Sequence, residues 1–301
     1  MKLRLRIPLL CAGAGLAAGL ALVPAAPAAA QPTVLVPCSV TDLVNAIDAA
    51  NTAGSGDLLL APGCTYTLTA ADSDEDGLPV ITGDITLVGA STTITRSSTA
   101  PDFRIFEVAE GGNLTLSALT VNGGKTTGDG GGILNNGTVT LNATAVRNSQ
   151  AAGEGGGVAN HGTLNVNAGS RISYNSAVTG GGGILNTATL DITASSIDHN
   201  SITGTDALGG GLFNSGGDVT ADLSSVGSNS ALAAGASGAG VATVGGTAEL
   251  NLDLVGSNVA NTAPGGIYND GTTLTLTFSL VAGNSPSNCT GSPSPVPGCL
   301  G

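Results

Sequence analysis

The sequence predicts an all-β chain wound as a parallel β-helix, a solenoid of stacked coils with a short N-terminal capping helix. Three observations predict it. A Gly-rich motif returns through the second half of the chain: "GGGILNNGTVTLNATAVRNS" at 130 to 149 is followed by variants starting at 155, 181, 209, 238 and 265. Taking the first apolar residue after the glycines as a marker gives Ile133, Val158, Ile184, Leu212, Val241 and Ile267, spaced by 25, 26, 28, 29 and 26 residues. Such a period marks an array of stacked units. Inside each unit apolar residues alternate, as in Leu190, Ile192, Ala194 and then Ile197, or Val219, Ala221, Leu223 and then Val226. Period two is strand, not helix. The composition agrees, because thin coils need many glycines and little aromatic bulk: the chain has 48 Gly, four Phe, three Tyr and no Trp.

The elements follow in order. Residues 1 to 30 read as a secretory signal: Lys2, Arg4 and Arg6 precede a small apolar run that ends at an A-x-A site, Ala28 to Ala30. Cys11 lies in that run without a lipobox pattern, and no other segment is long and apolar enough to span a bilayer. Residues 31 to 56 form an N-terminal cap. Val40, Leu43, Val44 and Ile47 fall on one helical face, with Ser39 as N-cap and Asp42 three residues on. Such a helix covers the open end of the stack, which otherwise offers unpaired strand edges to a second molecule. Residues 57 to 285 are coils, the first of them irregular: "GDLLLAPGCTYTLT", "ITGDITLVGASTTITRS" and "FRIFEVAEGGNLTLSALTVNGG". Residues 286 to 301 are a C-terminal cap or tail bounded by Cys289 and Cys299. About nine coils at the strand spacing give a rod of roughly 40 to 45 Å.

Each coil holds too few apolar residues to close a core alone, so like must stack on like. Two asparagine columns result. One is Asn135, Asn160, Asn186, Asn214 and Asn269; the other is Asn148, Asn175, Asn200, Asn229, Asn258 and Asn284. Stacked amides can donate to and accept from one another along the axis, satisfying groups that a turn would leave unpaired.

Removing residues 1 to 30 leaves five basic and 21 acidic residues, a net charge of −16. That balance excludes a phosphate-backbone partner, and so nucleic acid. Once the signal is removed, no membrane insertion is expected. Four cysteines remain, an even number suited to an oxidising compartment, and they sit in two end pairs. Disulfides Cys38 to Cys64 and Cys289 to Cys299 are expected. His161 and His199 lie far from them, which argues against a zinc site.

The block "C-S-x-x-D-L-x-x-A-I-x-x-A-N" from Cys38 to Asn51, with "LLLAPGCTYTLT" and "GLPVITGDITLVG", resembles the N-terminal part of secreted right-handed parallel β-helix proteins of the pectin-lyase-like superfold. The later "GG-[GI]-[IVL]-x-N" coils resemble the repeats of polymorphic outer membrane proteins. The resemblance implies a right-handed parallel β-helix. It implies no single activity, because this fold hosts lyases, hydrolases, adhesins and proteins with no known role. Polymorphic outer membrane proteins end in a translocating barrel, whereas this sequence reads to a Ser/Pro loop at Gly301, so anchoring by that route is not expected.

Chemistry has few places to sit. Aligned coils put Asp191, Thr220 and Glu249 in one outward column, and Asn142, Thr193, Asp222, Asn251 and Thr277 in the next, with Asp253 one outward step beyond. If the chain is an enzyme, Asp222, Glu249 and Asp253 are its catalytic candidates. Neighbouring or diagonal carboxylates some 5 to 8 Å apart overlap the spacing that glycosidases use. Against this, no Lys or Arg follows Arg171, so that half lacks the cationic clamp that the lyases of this superfold use. In repeat phase "NHG" at 160 to 162 equals "NNG", "NSG" and "NDG", which makes His161 a turn residue; His199 likewise precedes a column Asn. "DSDEDG" begins like an EF-hand loop, with Asp72, Asp74 and Asp76 around one hard cation and Gly77 at the turn, but Gly83 stands where the bidentate Glu belongs and Pro79 interrupts. Ca2+ is thus the one cofactor the sequence admits. The reading is a secreted, monomeric, non-catalytic scaffold for a polysaccharide or other cell-surface ligand, with a carbohydrate-active enzyme as the alternative.

Overall fold

Strand pairs with strand in parallel throughout the computed structural model, which describes residues 33 to 300 except Leu252; one isolated antiparallel bridge joins Phe103 to Lys125. The signal reading of residues 1 to 30 lies outside the described residues. The coil through residues 181 to 211 shows how the repeat is used. Ile184–Asn186 lies on a first face and Thr189–Thr193 on a long face. Ala194 then turns the chain with φ 46°, and Ser196–Asp198 runs along a short face. His199 turns it again with φ 56°, leading to the two-residue strand Ser201–Ile202 and a loop back to the next glycines. Left-handed bends of this kind reset the inward/outward alternation between faces.

The apolar markers stack in the register the spacing predicts: Val158 pairs with Ile133 and Ile184, Leu212 with Ile184 and Val241, and Val241 with Ile267. The long face is ten strands deep, from Val34–Val36 to Thr273–Thr277. The solenoid therefore has about ten turns rather than nine. The extra strand is Val34–Val36, which pairs with Leu58 to Leu60 although the sequence assigns it to the cap. In the first coils Asp84–Arg96 and Asn113–Asn122 run unbroken around the bend, joining long and short faces into one 17-stranded sheet.

Inward residues of three faces, such as Ile184, Leu190, Ile192 and Ile197, form one continuous core with their counterparts above and below. Glycines keep the first face's corner thin. A Cβ on Gly183 would lie 2.5 Å from Gly211 O and 2.9 Å from Asn200 Nδ2, and Gly181 has φ +60°.

Both asparagine columns are buried hydrogen-bonded ladders. In the first, Asn135, Asn160 and Asn186 each donate Nδ2 to Oδ1 of the next, at 2.7, 2.7 and 2.8 Å, ending on Asn214. Thr243 occupies the next rung and donates to Asn269 Oδ1 at 3.2 Å. The second ladder runs Asn175, Asn200, Asn229, Asn258, Asn284 at 2.9 to 3.1 Å. Asn148 is not in it. With φ 54° it takes the exposed bend position held in the next coils by Tyr174 and His199, and Ser149 is the buried rung, its N–H donating to Asn175 Oδ1.

Both ends are covered. Helix α1, Val40–Ala53, is capped by Ser39, whose Oγ accepts from Asp42 N, and buries Leu43, Ile47 and Ala50. Its Asn51 ties the cap to the coils, donating to Val80 O and accepting from Thr82 and Gly83 N–H. At the other end Val296 and Cys299 pack on the core, and Asn269 Nδ2 donates to Pro295 O. The disulfides are Cys38–Cys64 and Cys289–Cys299, as the end pairs predict. Among the described residues no helix is long and apolar enough to cross a membrane.

Candidate functional surface

From Asp84 on, the long face presents three outward columns of Thr, Asn, Ser, Asp and Glu, interrupted by Val88, and their register is the one expected. Asp191 pairs with Thr220 and Thr220 with Glu249; Thr193 pairs with Asp222, Asp222 with Asn251, and Asn251 with Thr277. On the long-face part of these strands, from Asp84 to Thr277, there is no Lys or Arg; Arg96 ends its strand past the bend, on the short face. Many side chains are held by the coil before. Asn113 Nδ2 donates to Asp84 Oδ1 at 2.9 Å, Asn167 Nδ2 to Asn142 Oδ1 at 2.9 Å, and Thr247 Oγ1 to Asp218 Oδ1 at 2.6 Å. The result is a regular lattice of hydroxyls and amides, pre-oriented and free of cations.

Of the three catalytic candidates, only two share this surface. Asp222 and Glu249 stand on adjacent coils in different columns. Asp253 does not lie one outward step beyond: it is 5% exposed and takes the buried place that Ser195 and Ser224 hold in the coils before, where each follows a residue in a left-handed bend, Ala194 or Leu223. Its Oδ1 accepts from Ser224 N–H at 2.5 Å, and its Oδ2 has no partner. Burial pushes its carboxyl up to about 6 against the backbone N–H groups of Ser224 and Asn251, which lower it, with Asp222 adding a smaller upward push.

The EF-hand-like loop is used differently from a metal cradle. Asp72 and Asp74 are exposed, whereas Asp76 is buried and its Oδ1 accepts from Arg104 Nη1 at 2.7 Å. Ser73 Oγ donates to the other oxygen, Asp76 Oδ2, at 2.8 Å. Arg104 also reaches Glu75 at 2.9 Å and Glu107 at 3.3 Å. Desolvation and the nearby Asp76 raise Glu107, while hydrogen bonds from Thr127 and Arg104 lower Glu75. Among the described residues no group of three or more His, Cys, Asp or Glu is placed to hold a metal, so Asp72, Asp74 and Asp76 are not brought together as ligands.

One cluster escaped the sequence reading. Arg171 on the short face grips Asp198 of the next coil through Nε and Nη2, and His199 Nδ1 lies 2.8 Å from Asp198 Oδ1. Tyr174 and His199, both at the left-handed bend, stack with ring centroids 4.8 Å apart. Burial would raise Asp198, but bonds from Arg171, His199 and Ser196 together lower it. An open groove of about 400 Å³ beside Arg171 is lined by Gly169, Ala194 and Leu223, with serines between them. Aligning position against position across coils would have revealed the cluster, since Tyr174 and His199 occupy the same place in successive repeats. As an exposed, internally paired group it offers stacking and hydrogen bonding, with its cation already neutralised.

No protein-family model, no curated protein and no solved structure matches this chain.

Proposed function

We propose that the protein is a secreted, non-catalytic solenoid that binds a polysaccharide or other cell-surface ligand along its long face. The observation that carries this reading is the lattice itself: hydroxyl and amide groups recur at the coil spacing and are fixed by bonds such as Asn167 to Asn142 and Thr247 to Asp218. A surface of this kind suits a repeating, hydroxyl-rich ligand, gaining affinity from many weak contacts at once. The N-terminal signal pattern and the two disulfides fit export to an oxidising compartment. Likeness to the pectin-lyase-like superfold and to polymorphic-outer-membrane-protein repeats rests on the sequence motifs and points the same way. For the enzyme alternative, Asp253 is withdrawn into the bend, which leaves half-buried Asp222 and exposed Glu249 on a face without a cation to clamp an acidic substrate.

A glycan array, paired with a reducing-end assay on the same polysaccharides, tests the reading. Binding without turnover is expected, in both the wild type and an Asp222→Asn, Glu249→Gln double variant. Turnover that vanishes in the double variant would overturn it.

A further inference from the structure

One column at the bend between long and short faces holds Thr144, Ser170, Ser195, Ser224, Asp253 and Ser279. Its side-chain oxygens accept from the backbone of the coil before: Thr144 N–H donates to Ser170 Oγ and Ser195 N–H to Ser224 Oγ, both at 3.2 Å, and Asp253 N–H to Ser279 Oγ at 3.0 Å. Asp253 does the same through Oδ1. The hydroxyls also donate. Thr144, Ser170, Ser195 and Ser279 reach the carbonyls of Leu116, Leu141, Val166 and Leu250 at 2.8 to 3.2 Å, and Ser224 reaches Asp222 O at 2.9 Å. An ionised carboxylate has no proton to donate. The carbonyl in register with Leu141, Val166 and Leu250 in the coil before Asp253 is that of Ala221, and Asp253 Oδ2 is the buried oxygen without a partner.

Among the described residues no cation faces the carboxyl, and only the backbone N–H groups of Ser224 and Asn251 favour its charge. Asp222 is the closest acting charge and has the same sign. Asp218 and Glu249 stand on the outward columns of the packed strands. Ser225–Gly227, Leu254–Gly256, Thr273–Thr277 and Leu280–Ala282 carry no titratable group, and no Lys or Arg follows Arg171.

We propose that Asp253 is a proton-operated rung: neutral, it donates as the column hydroxyls do and latches the C-terminal coils; ionised, it leaves a buried charge without a counter-ion and no proton for the Ala221 carbonyl, and lets those coils open locally. Ambient pH then sets how firmly this end of the solenoid is closed. The carboxyl raised to about 6 by burial places the transition in a mildly acidic range.

Hydrogen exchange by mass spectrometry tests this on the full chain, from pH 4 to 7.5, corrected for the intrinsic exchange rate. Peptides covering 218 to 256 are compared with control peptides covering 158 to 192. In the wild type, protection of the first set should fall relative to the control by up to roughly a hundredfold as pH rises, the ratio set by two pKa units. Asp253→Ser restores the column's own hydroxyl and should stay flat. Asp253→Asn, which donates at every pH and never ionises, should be equally flat. The proposal is overturned if wild type and Asp253→Ser share one pH profile, or if Asp253→Asn keeps the wild-type slope.

Discussion

Asn200 donates both its backbone N–H, at 2.9 Å, and its side-chain amide, at 3.1 Å, to the single side-chain oxygen of Asn229. Asn229 in turn donates Nδ2 to Ile197 O at 3.0 Å and to Asn258 Oδ1 at 3.0 Å. Each rung therefore serves three coils. Replacing Asn229 by Leu strands the Asn200 N–H and the Ile197 carbonyl in a buried turn, and at about 1 to 3 kcal/mol per stranded group the loss should be roughly 2 to 5 kcal/mol. Thr193→Ala removes an exposed side chain of the long face and should cost under about 0.5 kcal/mol. Urea denaturation of both variants checks this, and equal midpoints would mean that the ladder contributes nothing.

The first ladder has one weak rung. Asn214 finds no side-chain acceptor at Thr243 and keeps only bonds to carbonyls, such as Gly217 O at 2.8 Å, of the kind that Asn160 and Asn186 make in addition to their ladder bonds, while Thr243 still donates to Asn269. Since Asn fits the same position in the coils on either side, Thr243→Asn should restore an unbroken ladder and add about 0.5 to 1.5 kcal/mol. A drop in the denaturation midpoint would show that this coil is too tight for the amide.

What the sequence disclosed depended on repetition. The markers Ile133 to Ile267 were readable because identical stacked positions must hold similar side chains, so the period survives in the letters. Asn148 was misassigned because Asn-Ser stands there where later coils have another residue and then Asn; the ladder uses the second position, and Ser149 fills it. Strand alternation carried on past Asn251 points Asp253 outward. At the same bend in other coils Ala194, Leu223 and Phe278 have φ of 46°, 55° and 52°, which turns the following residue inward. The pairing of Asp76 with Arg104 was invisible for the opposite reason: the early coils repeat too poorly to phase two residues 28 apart.

Arg104 makes a stability prediction with a metal control. Its guanidinium and the Asp76 carboxylate are both buried, so Arg104→Ala leaves a carboxylate without its counter-charge and should cost about 3 to 5 kcal/mol. Asp76 is already committed to Arg104 and Ser73, so EDTA or millimolar Ca2+ should leave the wild-type Tm unchanged. A Ca2+-dependent rise in Tm that Asp72→Asn abolishes would restore the loop as a metal site.

The disulfides close loops of different length, with sequence separations of 26 and 10 residues. Chain-entropy arguments give about 3.5 kcal/mol for the first and about 2.7 kcal/mol for the second. The double Cys38→Ser, Cys64→Ser variant should therefore lose more stability than the double Cys289→Ser, Cys299→Ser variant. Non-reduced peptide mapping should show these two pairings alone, and free thiols or crossed pairs would contradict the assignment.

The pH dependence of global stability isolates Asp253. Its folded carboxyl lies at about 6 against 3.8 for the free side chain, so between those values the folded chain holds a proton that the unfolded chain has released. Stability must then fall as pH rises through this window: the contribution is whole below about 3.8 and lost above about 6. The loss amounts to about 3 kcal/mol, from two pKa units at 1.36 kcal/mol each. Asp198 runs the other way, because its bonds to Arg171 and His199 lower its carboxyl, so its contribution is present at neutral pH and fades as the pH drops below the usual Asp range. Wild type alone therefore shows a mixture. The difference between wild type and Asp253→Ser removes every shared group, so it should be smallest near pH 4 and grow in favour of the serine variant until about pH 6, staying constant above. Urea midpoints at half-unit steps from pH 4 to 8 measure it. A difference that is flat across the whole range would show that Asp253 ionises in the folded coil as freely as it does in water.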